Sequence, residues 1–228
     1  MTIDFNSVRE AANKLRTTAE KKKNEAIFAV ADAIRRSAED IYKANSYDVE
    51  AFVNSGGSAA LVDRLTLNLK RIQSVCDDML KVAALPDPTE SVISEWVTSD
   101  GLNIKKVAVP YGVIGVIYEA RPNVTVDVFT LCLKSGNACI LKGGKEAART
   151  NEKIVEIIKG ALKSTAVSPD CVLLLPPNRA YAETLIKARG QVDLIVPRGG
   201  SGLIRYVVEN SLVPVIETGA GVCHTLEP

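Results

Sequence analysis

The chain has 228 residues, of which 46% are hydrophobic and 24% charged, so it holds enough apolar material for a folded core. Its 28 Lys and Arg residues balance 27 Asp and Glu residues, which gives a formal net charge of +1. This balance argues against a nucleic-acid or membrane-surface protein, because such proteins carry a basic excess on one face. No apolar run reaches the ~18 residues of a membrane span, and the N-terminus lacks an apolar secretory core, so a cytoplasmic protein is expected.

The cysteines indicate neither a disulfide scaffold nor a structural zinc site. They are odd in number, they form no C-x-x-C pair, and a single histidine is available to support a metal. Cys132 and Cys139 lie within or beside apolar runs and are expected to be small buried hydrophobic residues. The full set is Cys76, Cys132, Cys139, Cys171 and Cys223.

Residues 1–90 are predicted to form a block of helices that packs on a following domain, because apolar residues recur at helical spacing. The run at 21–23 consists of three lysines bracketed by glutamates and is interpreted as a solvated helix surface. Residues 54–58 separate two helices, and residues 85–88 close the block. The apolar faces are Val8, Ala11, Ala12 and Leu15; Ile27, Val30, Ala31 and Ile34; and Leu65, Leu69, Ile72, Cys76 and Met79.

Residues 91–110 are predicted to form a β-hairpin. Residues 92–98 and 102–109 read as extended segments, and Ser-Asp-Gly at 99–101 supplies the turn between them. A hairpin beside a larger domain often projects, so this one is a candidate oligomerisation element that pairs with a second subunit.

Residues 111–228 alternate short apolar runs with helical segments, which predicts an α/β domain with a parallel sheet and flanking helices. The predicted strands are 113–118, 138–141, 172–175, 194–196 and 213–216. The predicted helices lie near 123–135, 145–163, 179–189 and 200–210.

Glycines and cationic residues follow four of these five strands, at the edge where open α/β sheets bind ligands, and Pro-Pro-Asn follows the third. The segments are 119–123, 142–145, 176–178, 197–202 and 217–221, and together they predict a nucleotide site. Neither common phosphate motif is complete: Glu146 follows Gly144-Lys145 where a Walker loop needs Ser or Thr, and a G-x-G-x-x-G pattern from Gly219 meets His224 at its third glycine. The glycines at 199–202 could hold phosphate through backbone N–H groups at a helix start, or form a flexible turn with an N-cap serine.

Four segments, at 112–127, 134–147, 196–200 and 215–219, closely resemble the γ-glutamyl phosphate reductase (glutamate-5-semialdehyde dehydrogenase) family of the aldehyde dehydrogenase superfamily. The most specific is the E-A-R-P-N-V-T run at 119–125. The resemblance implies an aldehyde dehydrogenase-type, Rossmann-like cofactor-binding domain. It also implies NADPH-dependent reduction of L-glutamyl 5-phosphate to the semialdehyde with release of phosphate, a step of proline biosynthesis. In that reaction a cysteine thiolate attacks the acyl phosphate, and hydride reaches the resulting thioester.

The resemblance also assigns roles to three residues after the first two strands. Asn123 matches the amide directed at the developing oxyanion, although a helix N-cap is the alternative. Lys142 matches the lysine that contacts the adenosine ribose region. Lys145 stands where many NAD-preferring relatives carry a ribose-binding glutamate, and a cation there favours a 2′-phosphate and so NADPH. Solvated strand-end charge is the alternative for both lysines.

Further roles are implied around the later strands. Arg198, Gly199 and Gly200 match the segment beside the cofactor's pyrophosphate and nicotinamide riboside. Arg121 is a candidate to bind the substrate's carboxylate or phosphate, with a structural ion pair as the alternative. Glu217 matches a glutamate near the nicotinamide, but a reaction that releases phosphate needs no water-activating base there.

The family's nucleophilic cysteine lies well beyond the motif at 215–219, whereas this chain stops at Pro228. The expectation is therefore a cofactor-binding portion without the family's catalytic domain, and Cys223 beside His224 is not expected to replace the nucleophile. Two alternatives stay open: an aldehyde dehydrogenase of another substrate class, and a non-catalytic nucleotide-binding or assembly subunit. The central hypothesis is that one groove gathers Asn123, Lys142, Lys145, Arg198 and Glu217.

Overall fold

A computed structural model describes residues 3–217 of the chain. Its first part is the predicted helical block, and the faces predicted around residues 8–15 and 27–34 are buried. The side chain of Asp4 starts the first helix by accepting the backbone N–H groups of Asn6 and Ser7. The helices are α1 (Phe5–Leu15), α2 (Glu20–Arg36), α3 (Ala38–Asn54), α4 (Ala59–Leu65) and α5 (Leu69–Ala84).

The third predicted face belongs to two helices rather than one. Leu65 ends α4 and is buried, whereas Leu69 begins α5 and is 42% exposed. The side chain of Asn68 accepts the backbone N–H of Arg71, so it starts a new helix between them. The inclusion of Leu69 in a buried face was therefore wrong.

The interpretation of the lysine run as wholly solvated was also wrong, because Lys23 is fully buried. Its Nζ lies 2.6 Å from Asp87 Oδ2 and donates to Thr89 Oγ1 at 3.2 Å. Burial raises the pKa of Asp87, but hydrogen bonds from Lys23 and Thr89 outweigh it, so the net pKa lies below the ordinary value. The pair fixes the connection after α5 against α2.

The predicted hairpin is present as a separate two-stranded antiparallel sheet. Its strands are β1 (Val92–Val97) and β2 (Asn103–Val107), and Trp96 pairs with Ile104. Every residue of β1 is exposed. The hairpin therefore presents apolar side chains outside the core.

The remaining strands form one parallel sheet in the order β5-β4-β3-β6. All residues of β3 and β4 are buried, as expected of central strands covered by helices on both faces. The predicted α/β class with a parallel sheet and flanking helices is confirmed. The elements are β3 (Val113–Tyr118), α6 (Asn123–Lys134), β4 (Ala138–Lys142), α7 (Ala148–Leu162), β5 (Val172–Leu174), α8 (Arg179–Ile186), β6 (Leu194–Arg198) and α9 (Ser201–Asn210).

The fifth predicted strand, 213–216, is only a single parallel bridge between Val215 and Ile195 within the described residues. Ile195 donates its N–H to the carbonyl of Pro214, and Ile216 donates to the carbonyl of Ile195. Because proline has no N–H, Pro214 cannot extend this ladder as a donor. The helix predicted over 145–163 likewise begins with a 3₁₀ turn at Lys145–Ala147.

Buried polar contacts join the helical block to the sheet layer. Asp48 of α3 accepts both the N–H and the hydroxyl of Thr150 in α7, at 2.8 and 2.7 Å. One hydrophobic cluster extends from Phe5 to Val213 and includes both parts. Across residues 3–217, no helix has the length and apolar character to cross a membrane.

Candidate functional site

Three neighbouring cavities lie where the parallel strands end. The arginine cavity, about 280 Å³, is lined by Arg64, Arg121 and Arg198 together with Glu119. The sheet-edge groove, about 620 Å³, runs past the ends of β3 and β4. The Asn123 cavity, about 310 Å³, lies beside the start of α6. Shared lining residues connect the arginine cavity to both of the others.

The sheet-edge groove receives Lys142 from the end of β4. Lys142 is 8% exposed, and its Nζ donates to the carbonyls of Gly143 and Pro177, both at 3.0 Å. Burial lowers its pKa, and the nearby charge of Glu146 opposes that shift. The alternative of a solvated strand-end charge is therefore wrong for Lys142.

Lys145 occupies a different environment from Lys142. It lies in the 3₁₀ turn after Gly144, its side chain is exposed, and it does not line the three cavities described above. Its proposed contact with a 2′-phosphate stays a prediction.

Glu119, which sequence reasoning did not single out, controls the start of α9. Its Oε2 accepts the backbone N–H of Gly200 at 2.9 Å, and its own N–H donates to the carbonyl of Arg198 at 3.3 Å. A Cβ on Gly199 would lie 2.5 Å from Glu119 Oε2 and 2.7 Å from Leu203 Cδ2, so a side chain there would force these groups to move. Glu119 thus occupies part of the anion-attracting helix end.

The alternative of an N-cap serine at this helix was wrong. Gly200 is the N-cap residue, and Ser201 is already the first helical residue. No side chain of the described residues caps α9 there. The backbone N–H of Gly200 instead finds its acceptor in Glu119, on the neighbouring strand end.

The turn between Glu119 and Arg121 has an unusual backbone. Ala120 has a φ of 22°, a region that residues with a Cβ rarely adopt. Its N–H donates to Glu146 Oε1 at 2.6 Å, which holds this conformation against its strain. Sequence reasoning noticed Glu146 only as a departure from the Walker motif and missed this role.

Arg121 lines both the arginine cavity and the Asn123 cavity and is exposed. Within residues 3–217 it makes no ion pair, so the alternative of a structural ion pair finds no support there. Arg64 of α4 lines the same two cavities. Nothing in its local sequence marks it, because only the packing of α4 brings it to the sheet edge.

Asn123 is the first residue of α6 and follows the N-cap residue Pro122. Its Nδ2 donates to Asp127 Oδ2 at 3.0 Å, so its side chain does not cap the helix as the alternative supposed. Burial raises the pKa of Asp127, while the hydrogen bond from Asn123 lowers it. The amide therefore has one hydrogen in a fixed direction, and its second N–H is available to a ligand.

Glu217, the last described residue, is exposed and does not line the three cavities. The structure thus gathers most of the predicted site residues around connected cavities and leaves two outside them. Those at the cavities are Arg121, Asn123, Lys142, Arg198, Gly199 and Gly200; those outside are Lys145 and Glu217.

The described cysteines are buried, as predicted for Cys132 and Cys139. A side-chain hydrogen bond with Cys132 and burial raise the pKa of Cys139, and burial raises the pKa of Cys171 to about 12. Such thiols stay protonated at neutral pH and make poor nucleophiles. Cys223 and His224 lie outside the described residues, and the described part holds no metal-ligand cluster.

Solved structures first define the class of fold. The chain superposes on a probable aldehyde dehydrogenase from Listeria monocytogenes with a TM-score of 0.71 at 18% identity, over 95% of this chain and 45% of that one. A propionaldehyde dehydrogenase from Clostridium phytofermentans gives a TM-score of 0.72 at 18% identity, over 95% and 46%. At such identities the likeness shows the fold alone, which is of the aldehyde dehydrogenase type.

Two further comparisons are more specific. A gamma-glutamyl phosphate reductase from Thermotoga maritima gives a TM-score of 0.92 at 43% identity, over 95% of this chain and 53% of that one. A curated gamma-glutamyl phosphate reductase from Phocaeicola vulgatus is 48% identical over 221 residues, which are 96% of this chain and 52% of the relative. No protein-family model matches the chain.

Over nearly all of its length the chain is similar to the N-terminal portion of gamma-glutamyl phosphate reductases. It spans about half the length of the curated relatives it matches.

Proposed function

We propose that the chain supplies the nucleotide-binding portion of an NADPH-dependent glutamate-5-semialdehyde dehydrogenase. The reaction reduces L-glutamyl 5-phosphate to L-glutamate 5-semialdehyde and releases phosphate, a step of proline biosynthesis. One observation carries the proposal: the ends of β3, β4 and β6 bring Glu119, Lys142 and Arg198 to connected cavities. Open parallel sheets bind nucleotides at this edge, and the relatives' names support the reductase class.

The sheet-edge groove is the proposed cofactor site. Its volume of about 620 Å³ lies in the range of small-molecule sites, and Lys142 and Arg179 contribute cations to its lining. When bound, the nicotinamide supplies a hydride. Lys142 would hold the ribose region in the groove, and Arg198 with Gly199 and Gly200 would hold the pyrophosphate side in the connected arginine cavity. Lys145, which is exposed outside both cavities, would hold the 2′-phosphate. Glu217 would approach the nicotinamide.

Asn123 is the proposed oxyanion donor. Attack on an acyl phosphate forms an oxyanion, which a fixed N–H donor stabilises until phosphate leaves. Asp127 holds one amide hydrogen of Asn123 and so directs the other. Arg121, on the turn just before α6, would bind the substrate's phosphate or carboxylate. The nucleophilic thiolate is expected from the family's cysteine segment rather than from the buried cysteines described above.

Titration of the full chain with NADPH and with NADH tests the cofactor site. A charge-assisted contact with a 2′-phosphate is worth ~1.5–3 kcal/mol when shielded; because Lys145 is exposed, a preference for NADPH of about tenfold is expected. Tighter binding of NADH would contradict the proposal. Robust NADPH-dependent turnover of γ-glutamyl phosphate by the chain alone would contradict a role confined to nucleotide binding.

The proposed domain division is a helical block at 1–90, a hairpin at 91–110 and a nucleotide-binding domain from 111 onward. Within it, the hairpin is the proposed assembly element. Ile93, Trp96 and Val97 are 60%, 48% and 65% exposed. Contiguous exposed apolar side chains mark association surfaces. This observation also favours the alternative of a non-catalytic assembly subunit. A substrate screen, together with a mass measurement in solution, distinguishes that alternative from the reductase.

A further inference from the structure

We infer that Arg64 and Arg121 form a two-guanidinium clamp that binds the phosphoryl group of an acyl phosphate. The chemical identity of this ligand rests on the proposed function, whereas the anion site itself rests on the residues below. The clamp adds a residue of the helical block, Arg64, to a site otherwise built from the ends of the parallel strands.

The position of the two arginines defines the site. They are the two residues that line both the arginine cavity and the Asn123 cavity. They come from different elements, since Arg64 belongs to α4 and Arg121 to the turn after β3. An anion between them would have Asn123 on one side and Arg198 on the other.

Neither guanidinium has an ion-pair partner among residues 3–217. By contrast, Arg71 at the edge of the Asn123 cavity lies 2.6 Å from Asp63. The carboxylates that line the two cavities all have other partners. These partners are the Gly200 N–H for Glu119, Arg71 for Asp63, Lys81 for Asp78 and the Asn123 amide for Asp127. Arg198, which lines the arginine cavity alone, also makes no ion pair among these residues, so Arg64 and Arg121 are the unpaired cations that line both cavities.

The chain segment behind Arg64 is held by two polar side chains. Buried Asn45 accepts the N–H of Leu67 at 2.6 Å and donates to the carbonyl of Leu65 at 2.9 Å. Arg71 donates to the carbonyls of Asp63 and Thr66 at 2.5 and 2.8 Å. Together they fix the end of α4, so the backbone of Arg64 is placed before any ligand arrives.

The backbone of Arg121 is fixed in a comparable way. Glu146 accepts the N–H of Ala120 and holds its positive φ of 22°. A strained residue persists where the surroundings determine it, and such residues concentrate at ligand sites. The two guanidinium groups on these placed backbone segments match the oxygens of a phosphoryl group, because each guanidinium can bind two oxygens at once.

The test uses the full chain and inorganic phosphate as the probe, with chloride at matched ionic strength as the blank. Arg64→Gln and Arg121→Gln remove one guanidinium each, and Arg64→Lys keeps the charge but not the planar fork. The matched control is Arg36→Gln, because Arg36 is 72% exposed, pairs with Asp32 and lines neither cavity. Calorimetry gives the affinity, and backbone amide shifts give the location.

Phosphate should shift the backbone amide signals of Ala120, Arg121 and Asn123. Its affinity should fall about tenfold in either Gln variant, a loss of ~1.4 kcal/mol, and stay unchanged in Arg36→Gln. Arg64→Lys should retain part of the affinity. Phosphate binding is measured without NADPH, so this test stays informative if NADPH fails to bind. The clamp would be overturned by equal phosphate affinity in Arg64→Gln and Arg36→Gln. Amide shifts confined to the start of α9, or tighter binding of L-glutamate than of phosphate, would overturn it as well.

Discussion

Asn45→Ala should destabilise the chain by about 3 kcal/mol. The Asn45 side chain is 2% exposed and makes three hydrogen bonds: with Leu67 N–H at 2.6 Å, the Leu65 carbonyl at 2.9 Å and Thr150 Oγ1 at 3.3 Å. A hydrogen bond contributes ~1 kcal/mol net, and a buried N–H left without an acceptor costs ~1–3 kcal/mol. Because Leu67 is only 5% exposed, water cannot readily replace the lost acceptor.

Equilibrium urea unfolding of the full chain measures this loss, with Ser46→Ala as the matched control. Ser46 is the next residue in α3, is exposed, and donates only to the carbonyl of Tyr42, so its change should stay within ~0.5 kcal/mol. Asn45→Ala should also weaken phosphate binding while the protein is still folded, because Leu65 and Leu67 flank the end of the helix that carries Arg64. A free energy of unfolding within 1 kcal/mol of the Ser46→Ala value, or unchanged phosphate affinity, would refute the reasoning.

Three other changes test separate features. Lys145→Glu should lower NADPH affinity about tenfold without lowering NADH affinity. Lys163→Glu, at the exposed residue that follows α7, should change neither affinity. Equal losses for both nucleotides in calorimetry would contradict the assignment. Asp87→Asn should cost about 3 kcal/mol because it leaves the buried ammonium of Lys23 without its counter-charge. Asp87 has a lowered pKa in the folded chain, so its contribution to the free energy of unfolding is present above the ordinary carboxyl pKa and is lost as pH falls through the pKa of the folded state. In urea titrations, Asp87→Asn should therefore lose less stability than the wild type between neutral and acid pH. Trp96→Ser should shift any oligomer toward monomer in sedimentation, and an unchanged mass would argue against assembly through the hairpin.

The sequence predicts the parallel sheet well because its signal is local. Fully buried strands such as Val113–Tyr118 and Ala138–Lys142 read as short apolar runs, and the helices between them show their own period. The limit of this signal appears at 213–216, where an apolar run resembles a strand but Pro214 interrupts its hydrogen bonding. An apolar pattern alone does not reveal that a residue such as Pro214 lacks the backbone N–H that a strand needs.

The error at Lys23 in the helical block has a different origin, since it depends on a distant partner. Lys23 sits in a run of three lysines whose pattern favours solvent, yet Asp87 compensates its burial from 64 positions later in the chain. The polar supports of the site are equally distant, because Glu146 serves Ala120 and Asn45 serves Leu67. Sequence reasoning finds residues that follow strands, but it does not find side chains that reach the same edge from elsewhere.

Arg64 is a candidate ligand-binding residue that sequence reasoning misses for this reason. Glu119 shows why its position matters. A helix N-terminus after a glycine run is the usual place to expect phosphate, but Glu119 already accepts the N–H of Gly200 there. A pyrophosphate that accepts the Gly200 N–H would have to displace this carboxylate, whereas the first N–H groups of α9, which no described side chain caps, stay open to it. An anion between Arg64 and Arg121 would not compete for the Gly200 N–H, although Glu119 also lines the arginine cavity. The same edge of the sheet thus offers two separate candidate anion sites, one at the start of α9 and one between Arg64 and Arg121.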